Sequence, residues 1–305
     1  MPSNKKNLLN FYRFLLMFLL IGIIFYFENE FNPNSSDKGD LNINLFSDSN
    51  IINFSGYRWY IRDTGGEKEG PGPNYFINDN KSVWVDENGY LHLKIRKING
   101  TWYCAEIFSE KSFGYGIYSF EMESGFEDLD INIVVGLFVY LDDNNEIDIE
   151  FSRWGQKNSD NAQFVVQPYY HFGNLHRFNI DQKEQDSIHK FQWCQNYIKF
   201  WSIWSEDSSI IQEWAYLGSD IPESSTEKVH INLWLIDGLA PSNNAETEVI
   251  IKKFEFKNNS CENPVIIFLI FYWYVIIILV GISIIILLLI LKRQKIHKKI
   301  SDNTI

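Results

Sequence analysis

From Val265 to Leu291 the chain is an almost unbroken run of Ile, Leu, Val, Phe, Tyr and Trp without a charged side chain. That exceeds the roughly 20 residues a helix needs to cross a bilayer, and no polar face interrupts it, as one would in a helix packed on a soluble core. The run reads as a transmembrane helix. A shorter apolar run, Phe14 to Phe27, follows Lys5, Lys6 and Arg13 and reads as a signal anchor or a signal peptide. Glu28-Asn29-Glu30-Phe31 comes next with no small-residue cleavage pattern, which favours the anchor, and Phe25, Tyr26 and Phe27 suit an interfacial belt. Lys292, Arg293, Lys295, Lys298 and Lys299 behind the second span, with Lys5 and Lys6 before the first, place both termini on the cytoplasmic side of a cell membrane.

These features divide the chain into a signal anchor or signal peptide (1–27), a polar tether (28–49), a domain outside the cell (50–257), a juxtamembrane linker (258–264), a transmembrane helix (265–291) and a basic cytoplasmic tail (292–305). Without the basic residues of the two ends the rest carries a net charge of about −19, which repels nucleic acid and anionic lipid surfaces. No nucleic-acid partner is expected, the lipid bilayer is met through the two spans, and no protein partner is indicated. Three cysteines are too few for a disulfide-built scaffold. Cys104 and Cys194 both sit in strand-like runs, as a bridge or as two buried thiols. Asn-x-Ser/Thr sites fall at Asn34, Asn53, Asn80, Asn99 and Asn258.

Beyond the tether, short runs rich in Val, Ile, Tyr, Phe and Trp alternate with Gly, Asn and Asp turns. Strands are expected near 81–86, 90–97, 101–108, 113–124, 131–141, 145–152, 161–168, 188–194, 197–204, 210–216, 228–235 and 247–257. Glu87-Asn88-Gly89 and Ile98-Asn99-Gly100 are hairpin turns between the first three. No stretch of the domain holds apolar residues at helical spacing for three turns. A dozen strands in about 200 residues suits an all-β, two-sheet sandwich or jelly roll.

The chemistry concentrates in Asn145-Glu146-Ile147-Asp148-Ile149-Glu150-Phe151, where acidic and apolar residues alternate at strand period. Glu146, Asp148 and Glu150 share one face, while Ile147, Ile149 and Phe151 pack on the other and fix the register. At about 3.3 Å per residue the two glutamate Cα atoms lie about 13 Å apart, so their side chains must lean inward to act as a pair. Three neighbouring carboxyls cannot all ionise cheaply, and the least solvated holds a proton near neutral pH. A solvent-facing acidic stripe on an ordinary amphipathic strand is the bland alternative.

The Glu-x-Asp-x-Glu form of Glu146, Asp148 and Glu150 resembles the signature strand of glycoside hydrolase family 16, the lichenase- and laminarinase-like β-glucanases. Around it, Cys104-Ala105-Glu106, Ser112-Phe113-Gly114-Tyr115-Gly116 and Leu137-Phe138-Val139-Tyr140 resemble segments that precede the active-site strands. His189-Lys190-Phe191-Gln192-Trp193 with Tyr197-Ile198-Lys199-Phe200-Trp201 is similar to a later hairpin, and Asn232-Leu233-Trp234 to a cleft-lining strand. The resemblance implies a concanavalin-like β-jelly-roll, here flanked by N- and C-terminal transmembrane helices. It makes Glu146 the nucleophile, Asp148 its modulating neighbour and Glu150 the general acid and base. Asn74, Glu106, Phe138, Tyr140, Asn232 and Trp234 would line the cleft. Trp154, of the same parity as the two glutamates, and Gln163, in the 161–168 run, join the substrate-binding candidates. Phe108 departs from the pattern, standing where lichenases often carry a sugar-binding Arg. Val165 and Gln167 stand where polar and aromatic residues are usual. These departures, with Gly70-Pro71-Gly72-Pro73-Asn74-Tyr75-Phe76 and Ser152-Arg153-Trp154-Gly155, imply a separate, membrane-anchored branch.

The expected function is therefore a retaining glycoside hydrolase, or a transglycosylase, that cleaves a β-glucan-type polysaccharide outside the cell. The alternative is a catalytically silent surface glycan-binding or adhesion protein on the same jelly roll. A third reading makes the domain a spacer in a structural membrane protein. His171, His176, His189 and His230 lack metal-ligand spacing and read as structural or surface groups. No metal site and no cofactor is expected; the Asp142-Asp143-Asn144-Asn145 turn is acidic enough to hold a structural calcium in principle, but it lacks the spacing of a dedicated loop and reads as a solvated turn.

Overall fold

A computed structural model describes residues 50–181, 183–258, 261, 272–273, 275–284 and 292–293. The domain is a sandwich of antiparallel sheets built from sixteen strands: β1 (Ile51–Phe54), β2 (Tyr57–Ile61), β3 (Val83–Val85), β4 (Leu91–Ile98), β5 (Thr101–Tyr103), β6 (Ala105–Ser109), β7 (Gly116–Met122), β8 (Ile133–Asp142), β9 (Asn145–Phe151), β10 (Ala162–Val166), β11 (Leu175–Phe178), β12 (Ser187–Cys194), β13 (Tyr197–Trp204), β14 (Ile210–Tyr216), β15 (Lys228–Leu235) and β16 (Thr247–Lys257). One sheet runs β1-β2-β6-β15-β8-β9-β10-β11, and the other runs β14-β13-β12-β7-β16-β4-β3 with β5 paired to β4. Sequence-distant strands lie side by side, β6 against β15 and β7 against β16, as a jelly roll requires.

Period-2 alternation decides what each sheet buries. Ile147, Ile149 and Phe151 of β9, Leu137 and Val139 of β8 and Ile231 and Leu233 of β15 point inward. They join one buried cluster with Leu91 and Leu93 of β4, Tyr118 and Phe120 of β7 and Phe191 of β12. Burying an aliphatic or Phe side chain stabilises the fold by about 1.5–3 kcal/mol. A one-residue slip of β9 would expose three such groups and drive three carboxylates into the core. The acids are thereby held on the outer face of the first sheet.

The all-β jelly roll stands as expected, but the helices expected to flank it do not. Among the described residues no helix is long and apolar enough to cross a membrane. The expectation of transmembrane helices, and of a lipid bilayer met through them, is corrected accordingly. The run Phe14–Phe27, the tether 28–49 and most of 265–305 lie outside the described residues.

Three strands differ from the sequence reading. β1, β2 and β11 were not expected, and the 101–108 run divides at Cys104 into β5 and β6. Cys104 makes a parallel bridge to Phe76 there, which ends one pairing and begins another. The cysteines also differ: the disulfide joins Cys194 to Cys261, and Cys104 is a buried free thiol.

Candidate active site

Strand register sets the site out in cross-sheet rows. On one row Glu150 of β9 faces Gly136 of β8 and Gln163 of β10, and Gly136 faces Asn232 of β15, which faces Glu106 of β6. On the next row Asp148 faces Phe138 and Val165, Phe138 faces His230, and His230 faces Phe108. On the third, Glu146 faces Tyr140. These rows floor an open cleft of about 720 Å³, whose rim adds Arg62, Glu69, Gly70, Pro71, Asp143 and Trp234.

The cleft floor is chemically unusual because it buries acids. Asp148 is 3% exposed, and burial, followed by the charges of Glu146 and Glu150, raises its carboxyl well above the ordinary range. Burial also pushes Glu146 up to about 8, against the hydrogen bond it shares with Asp148. That bond raises Asp148 and lowers Glu146, so the two carboxyls titrate as a pair. Glu150 is raised by burial too, but Gln163 and Arg177 oppose the shift. Gln163 Nε2 donates to Glu150 Oε2 at 2.5 Å, and Arg177 Nε donates to Gln163 Oε1 at 3.0 Å. The Arg177 guanidinium in turn lies 4.4 Å over the Trp154 ring.

At the other side of the cleft Glu106, 2% exposed, is bound by Arg62 Nη1 at 2.8 Å and by His230 Nδ1 at 2.8 Å. Burial would raise its carboxyl, but His230 and then Arg62 outweigh burial and hold it below its ordinary value. The ionised carboxylate only accepts, so His230 Nδ1 is the donor. Buried Asn232 Oδ1 has no hydrogen-bond partner among the described residues.

The candidates named from sequence divide into three groups. Glu146, Asp148, Glu150, Glu106, Phe138, Tyr140, Asn232 and Trp234 meet in the cleft. Gln163 and Trp154 stand behind Glu150 rather than on the cleft wall. Trp154 lies past the end of β9, at φ 46°, so strand parity no longer governs where its ring points. Asn74 is elsewhere: its Nδ2 donates to Pro71 O at 2.7 Å and to Leu235 O at 2.8 Å, a clamp that ties the 70–74 turn to the end of β15.

Several cleft residues were not foreseen. His230 shares the parity of Asn232 and Trp234, a signal available in the sequence. Phe108 and His230 are stacked at 5.4 Å, and His230 and Phe138 at 5.0 Å, with interplanar angles of 20° and 24°. Their faces are spent on one another. Tyr140 instead stands at 83° to Phe138 and 73° to His230. Asp142, in the turn considered for calcium, accepts from the Asn144 N–H and Asn145 Nδ2. Among the described residues no group of three His, Cys, Asp or Glu could hold a metal ion.

A jelly roll whose open cleft is floored by a Glu-Asp-Glu strand, with the Asp buried between the two Glu, defines the class as a carbohydrate-cleaving hydrolase. The chain belongs to the glycosyl hydrolases family 16, whose family model matches residues 72–249, and is thus an enzyme acting on O-glycosyl bonds. It matches no curated protein. Similar solved structures include a glycosyl hydrolase family protein from Mycobacterium fortuitum (20% identity, 65% of this chain and 91% of that one, TM-score 0.51). Others are the Bacillus licheniformis beta-glucanase (19%, 72% and 95%, TM-score 0.49) and a beta-1,3-glucanase from Mycobacterium marinum (16%, 72% and 100%, TM-score 0.49). At these identities the likeness bears on the fold alone.

Proposed function

We propose that the chain is a retaining hydrolase, or a transglycosylase of the same geometry, that acts on a β-glucan-type polysaccharide outside the cell. The observation that carries this reading is the carboxylate row Glu146, Asp148 and Glu150 on the floor of an open cleft, with Asp148 buried between two half-buried glutamates. Glu146, in its ionised form, attacks the anomeric carbon. Glu150 gives its proton to the departing glycosidic oxygen, and a glycosyl ester forms on Glu146. Glu150, now a base, takes a proton from water or from an acceptor sugar hydroxyl, whose oxygen displaces Glu146 with overall retention.

Glu106, Asn232, Tyr140 and Trp234 are assigned to holding the sugars. Membership of the glycosyl hydrolases family 16 fits a polysaccharide substrate, and the Cys194–Cys261 disulfide fits an oxidising compartment. A silent glycan-binding protein would have no use for three neighbouring carboxyls on one strand face, whose like charges lower stability. Glu146→Gln and Glu150→Gln should each abolish release of reducing ends from β-glucan, with azide restoring turnover to one of them. NMR of the first product should show the β-anomer. An α-anomer product, or full activity in either variant, overturns the assignment.

A further inference from the structure

Immediately past the Glu146 end of the cleft, the β10–β11 connection displays three aromatic rings to solvent: Tyr169, 59% exposed, Tyr170, 71%, and Phe172, fully exposed. Large rings are not normally left uncovered side by side on a soluble domain, and such patches mark binding surfaces. We propose that Tyr169 and Tyr170 form an additional sugar-binding subsite, taking the part of a glucan chain that runs out of the cleft beyond Glu146. This rests on the β-glucan reading above and adds to it that the substrate is a polymer longer than the cleft.

Three observations carry the assignment. The first is continuity with the catalytic row. The Gln167 N–H donates to the Glu146 carbonyl at 3.0 Å. The Gln167 side chain then bridges the site to the loop, donating from Nε2 to Asp148 Oδ2 at 3.2 Å and accepting from the Tyr169 N–H at 2.8 Å. Tyr169 is thus tied through a single side chain to the acid triad.

The second is that the loop is held rather than loose. Asn174, 2% exposed, donates to the Pro168 carbonyl and to Asp220 and accepts from the Tyr216 hydroxyl at 2.8 Å. His171, next to Tyr170, pairs with Asp220 at 3.0 Å. A surface fixed before the ligand arrives avoids the entropy of ordering on binding.

The third is the economy of ring faces inside the cleft. Phe108, His230 and Phe138 stack on each other and turn their edges to a ligand, so the row opposite Asp148 offers no flat platform. Tyr169 and Tyr170, set edge to face at 84°, with His171 edge to face on Tyr170, still present more than half of their surface to solvent. Tyrosine also suits a sugar ring, with an apolar face for its C–H groups and a hydroxyl for its rim.

The test compares wild type, Tyr169→Ala/Tyr170→Ala and Tyr169→Phe/Tyr170→Phe on β-glucan oligosaccharides of increasing length. The alanine pair is expected to lose about three- to tenfold in kcat/KM on long substrates, to match wild type on the shortest one cleaved, and to be rescued by the phenylalanine pair. An equal loss at every length, or none at any, overturns the subsite. The same substitutions in a Glu146→Gln background, run through gels containing mixed-linkage β-glucan, read binding without turnover. Weaker retardation of the alanine pair supports the subsite even where wild type shows no turnover, a failure that counts against the β-glucanase reading alone. Equal retardation, or none, overturns the subsite.

Discussion

Gln163 donates its amide to Glu150 across the β9–β10 ladder at 2.5 Å, and its oxygen accepts from Arg177 on β11. The amide is thereby locked in one orientation by a cation on one side and a carboxyl on the other. Its donated hydrogen bond favours the ionised form of Glu150 and offsets part of the rise that burial causes.

Gln163→Ala removes that donor, so the Glu150 carboxyl should rise further. An acid that must be protonated to work then stays competent to higher pH. The basic limb of the kcat/KM profile should move up, by about half a unit or more, while kcat falls about tenfold as the carboxyl loses its fixed position. Arg177→Ala should move the limb the same way. A basic limb that stays in place in both variants would show that the relay does not govern the acid.

The triad also makes stability depend on pH in an inverted sense. Glu146 titrates at about 8 in the folded chain, against an ordinary value of 4.5. Below 4.5 it is protonated in both states and nothing is lost. As pH rises toward 8 only the unfolded chain ionises, so stability declines across that window. Glu146→Gln is neutral throughout. It should match wild type near pH 4 and exceed it at pH 8.5 by on the order of 2 kcal/mol, a Tm gap of about 5 °C. Thermal unfolding at the two pH values checks this, and a gap of the same size at both would mean that packing, not ionisation, sets it.

What was legible in the sequence follows from burial. Where one face of a strand packs in the core, as in β8, β9 and β15, alternation fixes which side chains share the other face, and Glu146, Asp148, Glu150, Asn232 and Trp234 could be placed together. Parity fails once the chain leaves its strand, and so Trp154 lies beneath Arg177 instead of on the cleft wall. It is also silent about neighbours far apart in sequence. Arg62 reaches Glu106 across 44 positions, and Cys261 reaches Cys194 across 67. β11 was missed because Leu175-His176-Arg177-Phe178 is short and polar, yet it supplies the cation behind Glu150. Val265–Leu291 was the most emphatic apolar signal in the chain, but most of that run lies outside the described residues, among which no helix is long and apolar enough to cross a membrane.

Gly136 stands between Glu150 and Asn232 in the catalytic row, where a Cβ would come within 2.5 Å of Asn232 Oδ1 and 3.2 Å of the Phe138 ring. Gly136→Ala must therefore displace the Asn232 amide from a buried position. The expected cost is about 1–3 kcal/mol in stability, with a loss of ten- to a hundredfold in kcat/KM that falls mainly on KM. Oligosaccharide kinetics with denaturant unfolding would separate the two effects, and unchanged kinetics would show that Asn232 does not hold substrate.

The Cys194–Cys261 bond closes a loop of 67 residues that takes in β13 to β16. Cross-linking a loop of that length lowers the entropy of the unfolded chain by an amount equivalent to about 4 kcal/mol. Cys194 ends β12 on the second sheet, remote in register from Glu146 and Glu150 on the first. Cys194→Ser/Cys261→Ser should therefore lower unfolding stability by about 2–4 kcal/mol while leaving kcat/KM at 25 °C within about twofold of wild type. Urea unfolding, with and without reductant on the wild-type chain, supplies the measurement. Reductant should bring wild type down to the variant and leave the variant unmoved. A wild-type curve insensitive to reductant that still lies above the variant would assign the difference to the serines rather than to the bond.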